Sequence, residues 1–192
     1  SQVVLGQGPH YLFQGVPEEN PGAVEFFQKR GYQAAWSSVN MRLDLAGYDP
    51  GQVDIPPVPE GVAFRLLETG EEPALLAAVE DAQPAWLEFY QGCPSPILVA
   101  AEQGQLVGFA MVPPEGGRFL GDVEKPGSLE CVGVVKSHRN RGIGMGMVLA
   151  GIRWLKEQGC GSIELRYVAL EDWYHKVGFC TFQRMWMGEK NL

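Results

Sequence analysis

Apolar residues after position 60 alternate between strand-like and helix-like patterns. Helical spacing runs from Glu71 to Tyr90, where Pro84 predicts a division into two helices, and again from Gly142 to Gln158. A short helix is predicted from Glu171 to Val177. Strands are predicted in the segments Val62 to Leu67, Ile97 to Glu102, Leu106 to Val112, Leu129 to Val135, Ile163 to Val168 and Phe179 to Met187. This order of elements predicts a mixed α/β domain over residues 62–192.

A proline-rich segment precedes this domain. Residues 48–61 contain Asp49-Pro50-Gly51 and, further on, Pro56-Pro57-Val58-Pro59. Proline lacks a backbone donor and holds the chain extended, so this segment is predicted to be a linker.

The sequence also contains an internal repeat. The segment from Asn20 to Tyr32 parallels the segment from Tyr167 to Phe179, and Gly31 matches Gly178 at an offset of 178 − 31 = 147 residues. A strand-like segment follows each copy, at residues 34–45 and 181–187. A repeat at about one domain length indicates domain duplication.

Residues 1–47 are therefore predicted to be the last part of a first domain of the same kind. Val3 to Leu5 would be a strand remnant and Gly6 to Pro17 a long loop, and about 100 residues of that domain are expected upstream in a longer protein. Half a domain exposes apolar surface and a bare strand edge. We therefore expect this segment to be ordered by packing on residues 62–192 or on a second chain in a homodimer.

Composition and charge exclude several classes of protein. The net charge of −8 argues against nucleic-acid binding, which needs a basic surface, and mildly favours a cationic partner such as an amine. No apolar stretch approaches ~18 residues, so no membrane span is predicted, and the N-terminus does not read as a signal peptide. A cytoplasmic location is the resulting expectation. The four cysteines are too widely spaced for a zinc or redox motif, and no metal is predicted.

A basic, glycine-rich turn lies between a predicted strand and a predicted helix, over residues 134–146. The first N–H groups of a helix have no internal partner, and the helix dipole adds partial positive charge. Arg139 and Arg141 add formal charge, so the turn suits a pyrophosphate. A Walker loop would need Gly-Lys-Ser/Thr, and a dinucleotide fold would need a third glycine where Met147 lies. The other interpretation is a glycine-rich helix start that only packs tightly against a strand.

In these residues the chain resembles the GNAT N-acetyltransferases. Their Arg/Gln-x-x-Gly-x-Gly/Ala signature corresponds to residues 139–144, and a second family motif corresponds to residues 167–179. Tyr167 stands where the family usually has Asn, and Leu170 where it has Ala, so contacts to the cofactor arm are expected to differ. The resemblance implies a mixed, mostly antiparallel sheet flanked by helices, preceded by a partial second copy as in tandem GNAT proteins.

The resemblance further implies direct transfer from acetyl-CoA to an amine in a ternary complex. The pantetheine arm would lie between the strands Leu129 to Val135 and Ile163 to Val168, which the family opens with a bulge. A backbone amide near Val134 would polarise the acetyl carbonyl. The implied cofactor-binding residues are Val132, Val134, Arg139, Asn140, Arg141, Gly142, Ile143, Gly144, Met145 and Tyr167.

Two residues are predicted to carry the proton transfers. Strand alternation would place Glu130 on one face with Val132 and Val134, where Glu130 could take a proton from the amine through a water. Tyr174 is the predicted acid that returns a proton to the departing thiolate. The runners-up for acid–base chemistry are His175 and Glu164.

A second class of function stays open at this point, namely an acyl-CoA-binding regulatory or scaffold module with a degenerate catalytic site. The acceptor amine is not determined by the sequence. In this fold the early helices and loops build the acceptor site, and here they mix aromatic and acidic residues that suit either a cation or an ordinary core. These residues are Glu80, Asp81, Trp86, Glu88, Phe89, Tyr90, Phe119 and Asp122.

Overall fold

A computed structural model describes residues 1–6, 15–116 and 126–192 of the chain. The strands are β1 (Gln2–Val4), β2 (Val16–Pro17), β3 (Gln33–Asp44), β4 (Val62–Leu66), β5 (Ile97–Glu102), β6 (Gln105–Met111), β7 (Gly127–Ser128), β8 (Glu130–Val134), β9 (Ser162–Val168) and β10 (Cys180–Asn191). The α-helices are α1 (Pro21–Gln28), α2 (Glu72–Ala82), α3 (Leu87–Tyr90), α4 (Ile143–Glu157) and α5 (Glu171–His175). Among the described helices, none is long and apolar enough to cross a membrane.

The predicted order of elements is confirmed. Each helix and strand predicted after residue 61 is present, with ends that shift by a few residues, except that β10 continues as far as Asn191. Pro84 begins a 3-10 turn, Pro84–Trp86, that separates α2 from α3. Proline has no backbone N–H to donate in a helix interior, and its ring clashes with the preceding turn, so the division follows from this one residue. The chain is thus a mixed α/β protein, as predicted.

Residues Asp44–Ile163 form one compact unit. Its antiparallel sheet has the strand order β4-β5-β6-β8. Helix α4 packs on one face, where a Cβ on Gly108 would lie only 2.6 Å from the Met147 sulfur. The next residue, Phe109, points to the other face and contacts the ring of Tyr90 in α3 edge-on, with centroids 5.1 Å apart. The core of this unit is therefore an apolar sheet between helices.

The proline-rich segment belongs to this unit and runs against the start of α4. A Cβ on Gly142 would lie 2.7 Å from the Pro57 carbonyl oxygen, and a Cβ on Gly146 would lie 2.7 Å from Cγ2 of Val58. Glycine at these two positions lets the Pro57 backbone and the Val58 side chain approach the start of the helix.

Residues Ser1–Leu43 and Glu164–Leu192 form the other compact unit. Its strand order is β1-β10-β3-β9, and the short β2 also pairs with β10. Strand β3 comes from the start of the chain and lies between two strands from its end. The pairs that β10 makes with β1 and β3 are antiparallel.

The two copies of the sequence repeat end their helices in the same way. Gly31 and Gly178 follow α1 and α5 with φ of +82° and +92°, a conformation that favours glycine. In each copy the glycine N–H donates a hydrogen bond to the carbonyl of the residue three positions earlier. The N–H of the next residue donates to the carbonyl of the residue five positions earlier. These bonds are Gly31 to Gln28, Tyr32 to Phe27, Gly178 to His175 and Phe179 to Tyr174. The sequence match of the two glycines therefore reflects a shared helix-ending motif.

Strands β3 and β10, which end the two copies, pair about a common midpoint. Ser38 lies opposite Met185, and these are equivalent repeat positions because 185 − 38 = 147. Trp36 lies opposite Met187 and Asn40 opposite Gln183, which are symmetric on either side. An approximate two-fold axis therefore relates the two strands and passes through the Ser38–Met185 pair.

Candidate active site

Strand β8 carries a β-bulge. Phe109 and Met111 are two positions apart on β6, but their partners on β8, Gly133 and Glu130, are three positions apart. The extra residue coincides with Cys131, whose φ of 48° lies in the left-handed region. A bulge interrupts the ladder and re-aims backbone groups. The bulge implied by the family resemblance is thus present in this strand.

Tyr90 holds the bulge from the end of α3. Its hydroxyl donates a hydrogen bond to the Cys131 carbonyl oxygen at 2.8 Å. The tyrosine is 1% exposed, and this burial raises its pKa well above the ordinary value, so the hydroxyl keeps the proton that it donates. Tyr90 therefore binds the backbone of β8 at the bulge itself.

The bulge also reverses the side-chain alternation along β8. Glu130 lies opposite Met111, and Val134 lies opposite Gly108. Met111 and Gly108 are three positions apart on β6, so they point to opposite faces of the sheet, and cross-strand partners share a face. The prediction that Glu130, Val132 and Val134 lie on one face is therefore wrong, because it assumed an unbroken strand.

Glu130, the predicted base, begins β8 and is half-buried. The Ser128 hydroxyl lies 3.0 Å from its Oε1 and donates a hydrogen bond to the carboxylate. Ser128 is itself buried, so its hydroxyl orients the carboxylate from the protein side. Ser128 was not found from the sequence, since a single serine two positions before a glutamate forms no recognisable motif.

The predicted phosphate turn has the expected helix start. Asn140 and Gly142 have φ of 61° and 76°, and α4 begins at Ile143. No side chain caps this helix, so the N–H groups of its first turn, at residues 143–145, are directed out of the helix end. Gly144 within that turn is partly exposed, so a ligand can reach it.

The two arginines of the turn are engaged by the protein. The Arg139 guanidinium donates to the carbonyls of Val134 and Ala82, at 3.2 and 2.9 Å. The Arg141 guanidinium forms a bidentate pair with Glu102 at 3.0 and 2.7 Å. Hydrogen bonding from Arg141 lowers the pKa of Glu102, and the same carboxylate lies 3.0 Å from Nε2 of His138. Both arginines thus fix the turn, and much of the Arg141 charge is offset by Glu102.

Tyr167 and Tyr174 belong to the other compact unit. Tyr167 has a φ of 57° at the end of β9, and its hydroxyl donates to the Gly6 carbonyl at 3.0 Å. Tyr174 lies in α5, where its half-buried ring meets Trp173 and Phe179 edge-on, with centroids 4.7 and 5.8 Å apart. The remaining predicted site residues, 130–145, all lie in the unit Asp44–Ile163.

The two runners-up for acid–base chemistry have other partners. Glu164 is 4% exposed and is ion-paired with both Arg42 and Arg166. His175 is exposed and lies near Glu171 and Thr181, with Nε2 3.4 Å from the Thr181 hydroxyl. Glu164 therefore has a structural position in the sheet.

The aromatic residues considered for an acceptor site divide into two groups. Phe89 and Tyr90 are buried in the core, and Trp86 is half-buried in the 3-10 turn. Phe119 and Asp122 lie outside the described residues. The Asp81 carboxylate accepts a hydrogen bond from the Lys136 backbone N–H at 2.7 Å, so it fixes the entry to the phosphate turn.

Within the described ranges, no group of three or more His, Cys, Asp or Glu residues could hold a metal ion.

Comparison with known proteins connects this arrangement to a family. Two mycothiol acetyltransferases match the chain. That of Actinosynnema mirum is 29% identical over 74% of this chain and 51% of its own length. That of Amycolatopsis mediterranei is 25% identical over 84% of this chain and 59% of its own length. The chain therefore spans little more than half the length of these relatives.

Solved structures share the fold. A GCN5-related glucosamine N-acetyltransferase region of a fungal multi-domain β-N-acetylglucosaminidase superposes with a TM-score of 0.80 at 23% identity, over 99% of this chain and 25% of that one. A tandem GNAT protein from the clavulanic acid biosynthesis pathway gives 0.64 at 18% identity, over 98% of this chain and 62% of that one. The sequence pattern of the Acetyltransferase (GNAT) family matches residues 61–179. This match covers more than half of the chain, which therefore belongs to the GNAT acetyltransferase family.

Proposed function

We propose that the chain is an N-acetyltransferase that moves an acetyl group from acetyl-CoA to a primary amine by direct transfer in a ternary complex. The observation that carries this proposal is the uncapped start of α4, which follows the bulged strand β8 by nine residues, since 143 − 134 = 9. Outward N–H groups at the positive end of a helix bind a pyrophosphate. Acetyl-CoA supplies such a pyrophosphate together with the acetyl thioester.

Strand β8 supports the second half of the proposal. It is the last strand in the order β4-β5-β6-β8, so its outer edge presents backbone groups that β6 does not pair. The bulge at Cys131, held by Tyr90, directs some of these groups away from the ladder. Backbone N–H groups at Val132 and Val134 are proposed to bind the cofactor arm and to polarise the acetyl carbonyl.

Two side chains are proposed for the proton transfers. Glu130, oriented by Ser128, is the proposed base that accepts a proton from the amine directly or through a water. Tyr174 is the proposed acid for the departing thiolate. The relatives' name, mycothiol acetyltransferase, supports a small-molecule amine as acceptor.

The direct test incubates the chain with acetyl-CoA and, in turn, each of a panel of small amines. Chromatography then measures the amine-dependent release of CoA. We expect release by the intact chain and none by Gly144→Trp, because a bulky side chain at the helix start blocks close approach of a phosphate. Calorimetry should show that Gly144→Trp also loses acetyl-CoA binding. Glu130→Gln should keep binding and lose rate most strongly at low pH, where the amine is protonated.

Gly161→Trp is the matched control, because Gly161 is exposed and a Cβ there would meet nothing within 4 Å. It should behave like the unmodified chain. Unchanged acetyl-CoA affinity in Gly144→Trp would refute the cofactor site. Tight binding without release for any amine would instead identify an acyl-CoA-binding regulatory or scaffold module.

A further inference from the structure

Helix α5, which carries Tyr174, is tied to strand β10 by a polar bridge formed by Glu171, Thr181 and Arg184. The Glu171 carboxylate accepts two hydrogen bonds from the Arg184 guanidinium, at 2.9 and 2.7 Å. Its Oε1 also accepts a hydrogen bond from the Thr181 hydroxyl at 2.5 Å. These contacts, that from Thr181 above all, lower the pKa of Glu171, so the carboxylate is charged at neutral pH. A bidentate arginine pair fixes the orientation of the two groups as well as their distance.

The strand end of the bridge is anchored within its own sheet. The Arg184 backbone N–H donates to the Glu19 carboxylate at 3.3 Å, and the Arg184 carbonyl accepts from the Glu18 N–H at 3.0 Å. Arg184 also lies opposite Val39 in the pairing of β10 with β3. Because β10 is held in this way, the bridge positions α5 on the strand.

Helix α5 is short and lies near the surface of its compact unit. It has five residues, and none of them is buried. A helix of this length depends on tertiary contacts for its position. Glu171 and Tyr174 are three positions apart, so they are neighbours on the helix surface. A change in how Glu171 is held is therefore transmitted to Tyr174.

The first copy of the sequence repeat has no residues that could form this bridge. Two of the three counterparts have no polar side-chain atom, and the third has only a hydroxyl group. By the offset of 147 residues, the counterparts are Val24 for Glu171, Ala34 for Thr181 and Ser37 for Arg184. The repeated architecture thus forms its first helix without a helix-to-strand ion pair of this kind.

Both copies nevertheless share one aromatic contact at the helix. The Phe27 and Tyr32 rings meet edge-on with centroids 5.6 Å apart, and the equivalent Tyr174 and Phe179 rings do so at 5.8 Å. The bridge is therefore present in the copy whose helix residue carries a hydroxyl group. The Arg184 side chain is 51% exposed, and exposed ion pairs add little stability. The bridge is thus better explained by the placement of the Tyr174 hydroxyl than by folding.

We propose that Glu171 is a positioning residue for acetyl transfer, which holds the Tyr174 hydroxyl at the departing thiolate through its bridge to Thr181 and Arg184. This inference rests on the proposed function, in which a proton passes from the Tyr174 oxygen to the CoA sulfur and solvent returns a proton to the tyrosine. A misplacement of about 1 Å can cost about 100-fold in rate. Loss of the Glu171 charge should lower turnover without weakening cofactor binding, since the phosphate turn lies in the unit Asp44–Ile163.

The test measures steady-state kinetics with acetyl-CoA and the best amine for the unmodified chain, Glu171→Gln, Tyr174→Phe and the double variant. We expect Glu171→Gln to lower kcat by about tenfold and to change KM for acetyl-CoA by less than about twofold. In the Tyr174→Phe background the same change should lower kcat by less than about twofold, because the hydroxyl to be positioned is absent. Asp172→Asn is the matched control, because the Asp172 side chain is fully exposed on the same helix, and it should behave like the unmodified chain.

A readout that does not need turnover separates this inference from the proposed function. In chains made with 3-fluorotyrosine, the fluorine NMR signal of Tyr174 is identified by its loss in Tyr174→Phe. We expect Glu171→Gln to shift this signal, because the surroundings of the ring change. Asp172→Asn should leave the signal where it is.

Three results would overturn the proposal. They are unchanged kcat in Glu171→Gln, an equal loss of kcat with and without the Tyr174 hydroxyl, and an unmoved Tyr174 signal in Glu171→Gln. The equal loss would show that the bridge only stabilises the fold. If the unmodified chain transfers no acetyl group to any amine, the proposed function fails, and the fluorine signal alone then decides whether the bridge positions Tyr174.

Discussion

Non-glycine residues with a positive φ occur at a hairpin turn, at the β8 bulge and at two of the predicted cofactor-binding residues. In the described ranges these residues are Gln103, Cys131, Asn140 and Tyr167. Asn140 tolerates the left-handed conformation well, but cysteine and tyrosine adopt it at a cost of about 1–3 kcal/mol. At Cys131 and Tyr167 a tyrosine hydroxyl bonds a nearby carbonyl, either the residue's own or that of Gly6. The Asn usual in the family at position 167 suits this conformation, and the departure to Tyr is offset by the new hydrogen bond.

Loss of the hydroxyl should affect different properties at two tyrosines, namely the free energy of unfolding at Tyr90 and turnover at Tyr174. Tyr90→Phe leaves the Cys131 carbonyl without its buried partner, so we expect the free energy of unfolding to fall by ~1–3 kcal/mol. Tyr174→Phe removes a proposed acid, so we expect turnover to fall by about 100-fold with acetyl-CoA affinity nearly unchanged. Urea unfolding and steady-state kinetics on both variants measure the two effects.

Each variant is the control for the other, because the same oxygen atom is removed. Full turnover in Tyr174→Phe with the best amine would remove the acid role. An unchanged unfolding midpoint in Tyr90→Phe would mean that the bulge does not depend on this bond.

Most elements could be predicted because their determinants are local. Pro84 divides the helical stretch, and the hairpin between β5 and β6 turns at Gln103 and Gly104, whose φ of 51° and 79° fit a two-residue type I′ turn. The bulge in β8, and the change of face that it causes, could not be predicted from residue periodicity. The bulge depends on the register with β6 and on the hydrogen bond from Tyr90, which precedes Cys131 by 131 − 90 = 41 residues. For that reason the prediction that Glu130 and Val134 share one face is wrong.

The turn from β4 into α2 is held by the Glu71 carboxylate, and the charge of that group should affect how stable the protein is at low pH. The Glu71 carboxylate accepts two hydrogen bonds from Arg65, each 2.7 Å long, and one from the Glu68 backbone N–H at 2.9 Å. These contacts, the Arg65 bond above all, lower the pKa of Glu71 from 4.5 to about 2. A lowered folded-state pKa adds stability above the unfolded-state pKa and loses it as pH falls through the folded one.

We therefore expect Glu71→Gln to be less stable than the unmodified chain at pH 7. The difference should shrink as pH falls from about 4.5 toward 2, since the carboxylate is then protonated in the unmodified chain as well. Urea midpoints at pH 7, 4 and 3 measure it. Glu72→Gln, at the adjacent exposed position, is the control and should show no such convergence. A constant difference between Glu71→Gln and the unmodified chain at all three pH values would contradict this account.

At the scale of the whole chain, the first 45 residues supply a central strand. Strand β3 lies between β10 and β9, a position that local sequence patterns could not indicate, because the pairing joins segments 147 residues apart. The repeat of Gly31 and Gly178 indicated a duplication. The symmetric pairing about Ser38 and Met185 supports the proposal that residues 1–47 are the last part of a first domain.

Deleting residues 1–45 should expose the facing edges of β9 and β10. We expect the melting temperature to fall by at least ~10 °C and the product to self-associate, because bare central edges lose several kcal/mol and invite pairing. Acetyl-CoA binding should persist, since the phosphate turn lies in the unit Asp44–Ile163. Differential scanning calorimetry and size-exclusion chromatography measure the first two effects.

Deleting only residues 1–5 removes the edge strand β1 and should have a much smaller effect. A monomer of unchanged melting temperature after the longer deletion would show that β3 is dispensable. Loss of acetyl-CoA binding would place the first residues in the cofactor site.

The pairing of β3 with β10 also has a consequence during synthesis on the ribosome. Strand β3 emerges early, but its partner emerges about 147 residues later, a delay of about 7–30 s at ~5–20 residues per second. Until β9 emerges, β3 lacks both of the long strands that flank it in the folded sheet, although it carries Val39, Met41 and Leu43 on one face. An unpaired strand of this kind is a target for holding chaperones and for premature association between nascent chains. The 12 residues of β10 therefore complete the pairing that holds the first 45 residues in their folded position.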